Sequence, residues 1–366
     1  MSGGRRHEAP LRMERRHVLL GVAVAAALGL GTLTLVGRIA DFGRIESALR
    51  EAEPGWLALC LAGIGVSYVG YVAGYRDMAR ADRGPVIAPA TAGRVVAIGF
   101  GAVALGSAPG GLAVDFWALR RAGAGLHEAA RRVLAFNTME WVILGGLAPL
   151  AGAAALAGVA DGVPDAMALT WPALVLLCTP LALLVSAPGR AERFSRVDSR
   201  RRRRGPLALA PRRPGTWIPW IADKLRVGLA DAVGGLVLIR HVVRRLPRYP
   251  WGVGGFAVYW LGQLLVVEAA LLAFDDPLGP IPLVLAFATG YAASALPLPG
   301  GGAGGVEASM AFALHATGVS LESAVLAVFT YRVVTFWLPI VPALIVATSI
   351  PRLHEELLPA SRRQDF

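Results

Sequence analysis

The chain has 366 residues, 55% of them hydrophobic, with a mean hydropathy of +0.56 and a formal net charge of +11. Its charged residues cluster between long apolar runs, which excludes an ordinary pair of soluble domains, because lipid takes the place of most of the core. The arginines lie where positive-inside bias would put them, so the charge reads as membrane orientation and excludes nucleic acid as the partner.

Residues 1–17 carry Arg5, Arg6, Arg12, Arg15 and Arg16 and are expected in the cytoplasm. Residues 18–36 form an uncharged run long enough to cross the hydrocarbon core. No convincing small-residue cleavage site follows, so it reads as a span and not as a signal peptide. Residues 41–53 mix acids with arginines at helical spacing, which suits an amphipathic helix on the outer surface. Residues 55–75 return inward, with Trp56, Tyr71 and Tyr75 expected near the interfaces.

Arg76, Arg80, Arg83 and Arg94 mark the next cytoplasmic segment. The apolar stretch 95–105 is short for a crossing and ends at Ser107-Ala108-Pro109-Gly110-Gly111. Proline removes a backbone donor and glycine weakens a helix, so the helix is expected to break there. Residues 112–119 are shorter still, and Arg120, Arg121, Arg131 and Arg132 follow. With both flanks basic, residues 94–120 read as a re-entrant hairpin that enters and leaves on the cytoplasmic side.

Residues 133–159 are the next span, ending at the outer acids Asp161 and Asp165, and residues 168–187 come back. Segment 188–216, with the run of arginines from 200 to 204, reads as a flexible cytoplasmic linker between two membrane halves. In residues 217–246 apolar stripes alternate with Asp223, Lys224, Arg226, Asp231, Arg240, Arg244 and Arg245, the pattern of an interfacial helix. Residues 251–274 cross outward to Asp275-Asp276-Pro277. Residues 281–316 dip in, break at Leu298-Pro299-Gly300-Gly301-Gly302 and return, with acid-bearing and arginine-free flanks. Residues 324–350 make the last crossing, and residues 351–366 form a cytoplasmic tail.

The expected architecture is an all-α integral membrane protein of about six spans plus two oppositely oriented re-entrant hairpins. The halves are then 18–187 and 217–350, a diverged inverted repeat. Leu126-His127-Glu128-Ala129 and Leu321-Glu322-Ser323-Ala324 each introduce a long apolar helix with an early polar residue, Asn137 in one and Arg332 in the other. Cys60 and Cys178 lie inside apolar spans and are expected as small core residues, neither disulfide-bonded nor metal-binding. Abundant arginine, alanine and glycine with a single lysine, Lys224, points to a GC-rich genome and a bacterial plasma membrane.

Residues 297–342, reading PLPGGGAGGVEASMAFALHATGVSLESAVLAVFTYRVVTFWLPIVP, resemble the transmembrane region of the lysylphosphatidylglycerol synthases, part of a wider flippase-like group. The resemblance rests on Pro299, Gly300, Gly301, Gly305 and Glu307 in the loop, with Tyr331, Arg332, Trp337 and Pro339 in the last helix. The stretch SAPGGLAVDFWALRRAG, with Pro109, Gly110, Asp115, Arg120 and Gly123, is similar to the family's earlier loop. The resemblance implies movement of a lipid, often with an amino-acid or sugar headgroup, between leaflets. The partner would be an anionic phospholipid or a polyprenyl-linked lipid, with a homo-oligomer left open. After Ile350 only a short polar tail remains, so the soluble aminoacyl-transfer domain of the bifunctional members is expected to be absent.

A phosphate headgroup crossing hydrocarbon needs a polar route, and broken helices expose backbone donors suited to it. The candidate substrate-binding residues are therefore Pro109, Gly110, Gly111 and Asp115 at the first break, and Pro299, Gly300, Gly301 and Glu307 at the second. Asn137, Glu140, Tyr331 and Arg332 in the following helices complete the set. Arg332 would pair with phosphate or with Glu307; Glu307 and Asp115 would carry a proton or a cationic headgroup. Structural readings compete: an Arg332–Glu307 strut, an Asp115 paired at the surface with Arg120 or Arg121, and Asn137 and Glu140 as packing groups. Glu268 reads as interfacial. The glycine-rich loop lacks a following Lys-Ser/Thr, so no nucleotide site is expected. No catalytic motif, metal cluster or cofactor is expected either; the alternative is a membrane enzyme or accessory protein acting on lipid-linked substrates.

Overall fold

The computed structural model describes residues 54–105, 108–187, 217–295 and 304–358, and every element among them is helical. Helix α1 spans Pro54–Arg80, followed by a 3-10 turn, Ala81–Arg83. Two shorter helices come next, α2 over Pro89–Leu105 and α3 over Ala108–Arg121. Then follow α4 over Leu126–Leu156, α5 over Asp165–Val185 and α6 over Trp217–Arg244. Helix α7 spans Trp251–Ala273, α8 Pro280–Tyr291 with a 3-10 extension at Ala292–Ala295, and α9 Gly305–Ala316. The chain ends with α10 over Leu321–Arg332, a π-helical turn at Val333–Trp337, α11 over Ile340–Ala347 and α12 over Ile350–Glu356.

Five stretches among the described residues are long and apolar enough to cross a membrane: Pro54–Arg83, Leu126–Leu156, Asp165–Val185, Trp251–Ala273 and Leu321–Ala347. They coincide with the five spans expected after residue 54. The first expected span, the outer amphipathic segment, the arginine linker and both Pro-Gly-Gly cores apart from Ala108, Pro109, Gly110 and Gly111 lie outside the described residues. The two tetrapeptides starting at Leu126 and Leu321 do begin helices.

Without a hydrophobic drive between helices in lipid, close backbone approach through small residues decides packing. Helix α1 presents Gly63, Ser67, Gly70 and Gly74 along one stripe, and α7 answers with Gly255 and Gly262. A Cβ placed on Gly70 would sit 2.6 Å from the Gly255 carbonyl oxygen, and one on Gly262 2.6 Å from that of Gly63. The seam joins the two halves of the chain at backbone contact.

Polar anchors hold the ends. The Asp77 carboxylate, buried at the end of α1, accepts from the first backbone N–H groups of α7, Trp251 at 2.8 Å and Gly252 at 3.1 Å. An anion there satisfies orphan donors and faces the positive end of the helix. Arg132, 3% exposed, reaches back from α4 to the Ala81 carbonyl at 2.7 Å and that of Met78 at 3.2 Å, closing the other end of α1. The amphipathic pattern of α6 docks on α4: Asp231 faces His127 at 3.1 Å, and Gly234 lies against the Arg131 side chain.

Two short helical pairs complete the frame. Helices α2 and α3 pack together so closely that a Cβ on Gly110 would meet the Ala102 carbonyl at 2.8 Å. Helices α8 and α9 do the same, with Gly290 against Met310. At the far end, α12 lies across the first pair: Glu356 binds Arg94 and Thr91 near the start of α2, and His354 Nδ1 takes Arg121 from the end of α3. Burial and then the Arg121 guanidinium lower the pKa of His354 below its ordinary value.

Some expectations are corrected by packing. Tyr71 and Tyr75 do not sit in an interfacial belt; they are buried in the protein, in edge-to-face contact with Phe256 and Phe136 respectively. Cys60 is a core residue, as its surroundings imply, but Cys178 lies exposed on the outer face of α5. The last span is not a regular α-helix throughout but carries a π-helical turn at Val333–Trp337. Pro339 has no N–H to offer and its ring would press on the carbonyl four residues back, so the preceding turn widens, with Leu338 N–H bonding to the Val333 carbonyl at 2.8 Å.

Candidate functional site

The helices enclose a cavity of about 440 Å³ to which α1, α2, α3, α4, α7, α10 and the segment Tyr291 to Ala295 all contribute walls. Of the residues expected in the site, Gly111, Asp115, Asn137, Glu140, Tyr331 and Arg332 line it together. They come from three elements separated by over 200 positions in sequence.

Arg332 arrives at the last residue of α10, immediately before the π-helical turn, and is 7% exposed. Its Nε donates to Glu307 Oε1 at 2.7 Å, and its guanidinium carbon stands 4.1 Å above the Phe336 ring. Its Nη2 is buried and has no hydrogen-bond partner among the described residues. Glu307 does not line the cavity; it works behind Arg332. Its second oxygen accepts the N–H of Gly304 at 2.7 Å, where the chain takes the left-handed φ of +85° that glycine tolerates before entering α9. One carboxylate therefore caps a helix and orients the arginine at once.

Asp115 on α3 and Glu140 on α4 are 6% and 8% exposed, and both face the cavity. Among the described residues neither has an ion-pair partner. The surface pairing considered for Asp115 does not form: Arg120 bonds to the Ala124 carbonyl, and Arg121 to His354. Tyr71 and Tyr259 line the same cavity as Glu140.

A buried polar chain fixes the wall behind the arginine. Tyr331 hydroxyl donates to Gln263 Oε1 at 2.8 Å, Gln263 Nε2 to Ser67 Oγ at 2.8 Å, and Ser67 Oγ to the Tyr259 carbonyl at 2.9 Å. A fully satisfied chain of this kind rigidifies its surroundings. Sequence reading missed Gln263, Ser67 and the tyrosines Tyr68, Tyr71, Tyr259 and Tyr291. A lone glutamine in an otherwise apolar span was the available signal.

Not every candidate converges. Gly110 serves the contact between α2 and α3, away from the cavity lining, and Pro109 is described as backbone only. Pro299, Gly300 and Gly301 lie outside the described residues, although Ser294 and Ala295 just before them border the cavity. Glu268 lies apart, accepting the Leu278 N–H at 3.4 Å. No group of three or more potential metal ligands occurs among the described residues.

Comparison with known proteins fits this arrangement. Among curated proteins there is no match. Among families, the lysylphosphatidylglycerol synthase TM region matches residues 18–343, which takes in every described helix from α1 to α10 and both loop motifs. With the match covering most of its length, the chain belongs to the family of the lysylphosphatidylglycerol synthase transmembrane region, a group of membrane proteins concerned with lipids.

Proposed function

We propose that this protein moves a phosphate-bearing membrane lipid between leaflets, the headgroup passing through the cavity while the tails stay in lipid. The observation that carries the reading is Arg332: a buried guanidinium with a nitrogen that has no partner among the described residues, facing a cavity shared with Asp115 and Glu140. An arginine inside a span is costly, and its planar fork matches a phosphate. Family membership adds a lipid context.

Reconstitution tests it. Liposomes containing the purified protein and phospholipids labelled on the headgroup-distal chain should lose protection of inner-leaflet label from a membrane-impermeant quencher. Protection as complete as in protein-free liposomes, across anionic and zwitterionic lipids, would overturn the reading.

The same proposal includes two re-entrant hairpins of opposite orientation, α2 with α3 and α8 with α9. The order long span, short pair, long span recurs as α1, α2/α3, α4 and as α7, α8/α9 and the last span Leu321–Ala347, which supports an inverted repeat. Single cysteines beside Arg121 and beside His315, in a background without Cys60 and Cys178, are expected to react with impermeant reagents from opposite faces. Labelling of the Arg121 site from outside would end the inverted-repeat model.

A further inference from the structure

Among the described residues, the carboxylates in the cavity outnumber the cations free to pair with them. Asp115 and Glu140 line it, while the arginine that lines it, Arg332, is already paired with Glu307. A carboxylate withdrawn from water without a cation is strongly disfavoured and either takes up a proton or draws positive charge from its occupant, and an occupant carrying that charge meets both carboxylates here.

The surrounding walls say what kind. Tyr68, Tyr71, Phe100 and Tyr259 all line the cavity as one packed cluster. Ring centroids lie 5.0 Å apart for Tyr68 and Phe100, 4.9 Å for Tyr71 and Phe100, and 5.2 Å for Tyr71 and Tyr259. These four rings share one lining with the Asp115 and Glu140 carboxylates. A primary ammonium brings three N–H donors, each needing an acceptor. A fully methylated ammonium brings none, and is held by charge and by the faces of aromatic rings.

We propose that Asp115, Glu140 and the cluster of Tyr68, Tyr71, Phe100 and Tyr259 form a subsite for a quaternary ammonium group. Taken with the translocation reading on which it rests, this makes the cargo a zwitterionic lipid whose phosphate meets Arg332 and whose methylated cation meets the carboxylates.

Tetramethylammonium chloride, titrated calorimetrically into the full chain in detergent, probes the subsite without a lipid, and methylammonium supplies the same charge with N–H donors. Tetramethylammonium is expected to bind, with methylammonium weaker by about tenfold and Asp115→Asn or Tyr68→Leu each costing about tenfold, the scale of a lost charge or cation–π contact. Tyr68→Leu leaves the charges intact and covers the case in which Asp115→Asn fails to fold. No binding of tetramethylammonium to the native chain would overturn the proposal. So would methylammonium binding as tightly, or correctly folded variants binding unchanged. Tetramethylammonium binding without lipid movement in liposomes would sustain the subsite and sink translocation; lipid movement without such binding would do the reverse.

Discussion

Arg332→Gln is expected to abolish lipid movement in reconstituted liposomes. Its Nε is spent on Glu307 at 2.7 Å and its face on Phe336, which leaves Nη2 in the wall of the cavity without a partner among the described residues. Truncation has a second consequence, because Glu307 then stays behind as an uncompensated, mostly buried carboxylate. Breaking such a pair costs about 3–5 kcal/mol, so loss of activity alone would not separate a ligand from a strut. The double variant Arg332→Gln, Glu307→Gln does separate them. With both charges gone the folding penalty is expected to shrink, while translocation stays absent, since nothing remains to grip the phosphate. Recovery of movement in a double variant that melts like the native chain would make the pair a strut and remove Arg332 from the site. Arg332→Lys is expected to restore part of the rate, because lysine keeps the charge and lacks the planar fork.

How far this arrangement was legible in the sequence follows from what each signal measures. Spans after residue 54 were legible because hydropathy over about 20 residues reports directly on the hydrocarbon core. The fourth helix begins at the Leu126 tetrapeptide expected to introduce it, well before the span placed from 133, because Glu128 and Arg132 hold each other and Arg132 bonds the Met78 and Ala81 carbonyls.

The site was half legible for a related reason. Ionisable residues inside spans announce themselves, so Asp115, Glu140 and Arg332 stood out individually. Their convergence depends on α3, α4 and α10 meeting, and no local pattern states that. Aromatic residues carry even less signal, since Tyr71 or Tyr259 in a span reads equally as an interfacial anchor or as core. The π-helical turn that presents Arg332 was implicit in Pro339, read only as a family residue and not as the cause of a widened turn. Glu307 shows the limit most clearly. It belongs with Arg332, as expected, yet it touches the site only through the arginine it holds.

The α1–α7 seam supplies the second large effect, and adjacent glycines there are expected to respond with opposite signs. A Cβ on Gly255 would stand 2.5 Å from the Gly74 nitrogen and 2.6 Å from the Gly70 carbonyl oxygen, whereas one on Gly254 meets nothing within 4 Å. The atoms in the way at Gly255 are backbone, so no side chain can turn aside and the two helices themselves must separate. Overpacking of this kind costs about 1–3 kcal/mol for a single methyl, and the larger side chain of Gly255→Leu demands more. Separation also carries Tyr259, one turn along α7, away from Ser67, whose hydroxyl bonds its carbonyl at 2.9 Å. Since Tyr259 is a cavity wall, a loss of helix contact is expected to appear as a loss of function before the protein unfolds. Gly254→Ala, by contrast, gains helix propensity of about 1 kcal/mol with no contact to disturb. Thermal unfolding of the purified variants, followed by size-exclusion of the protein remaining in solution, reads both directions in one experiment. Equal melting temperatures for Gly254→Ala and Gly255→Ala would mean that α1 and α7 do not approach at backbone contact, and the cavity they brace would have to be redrawn.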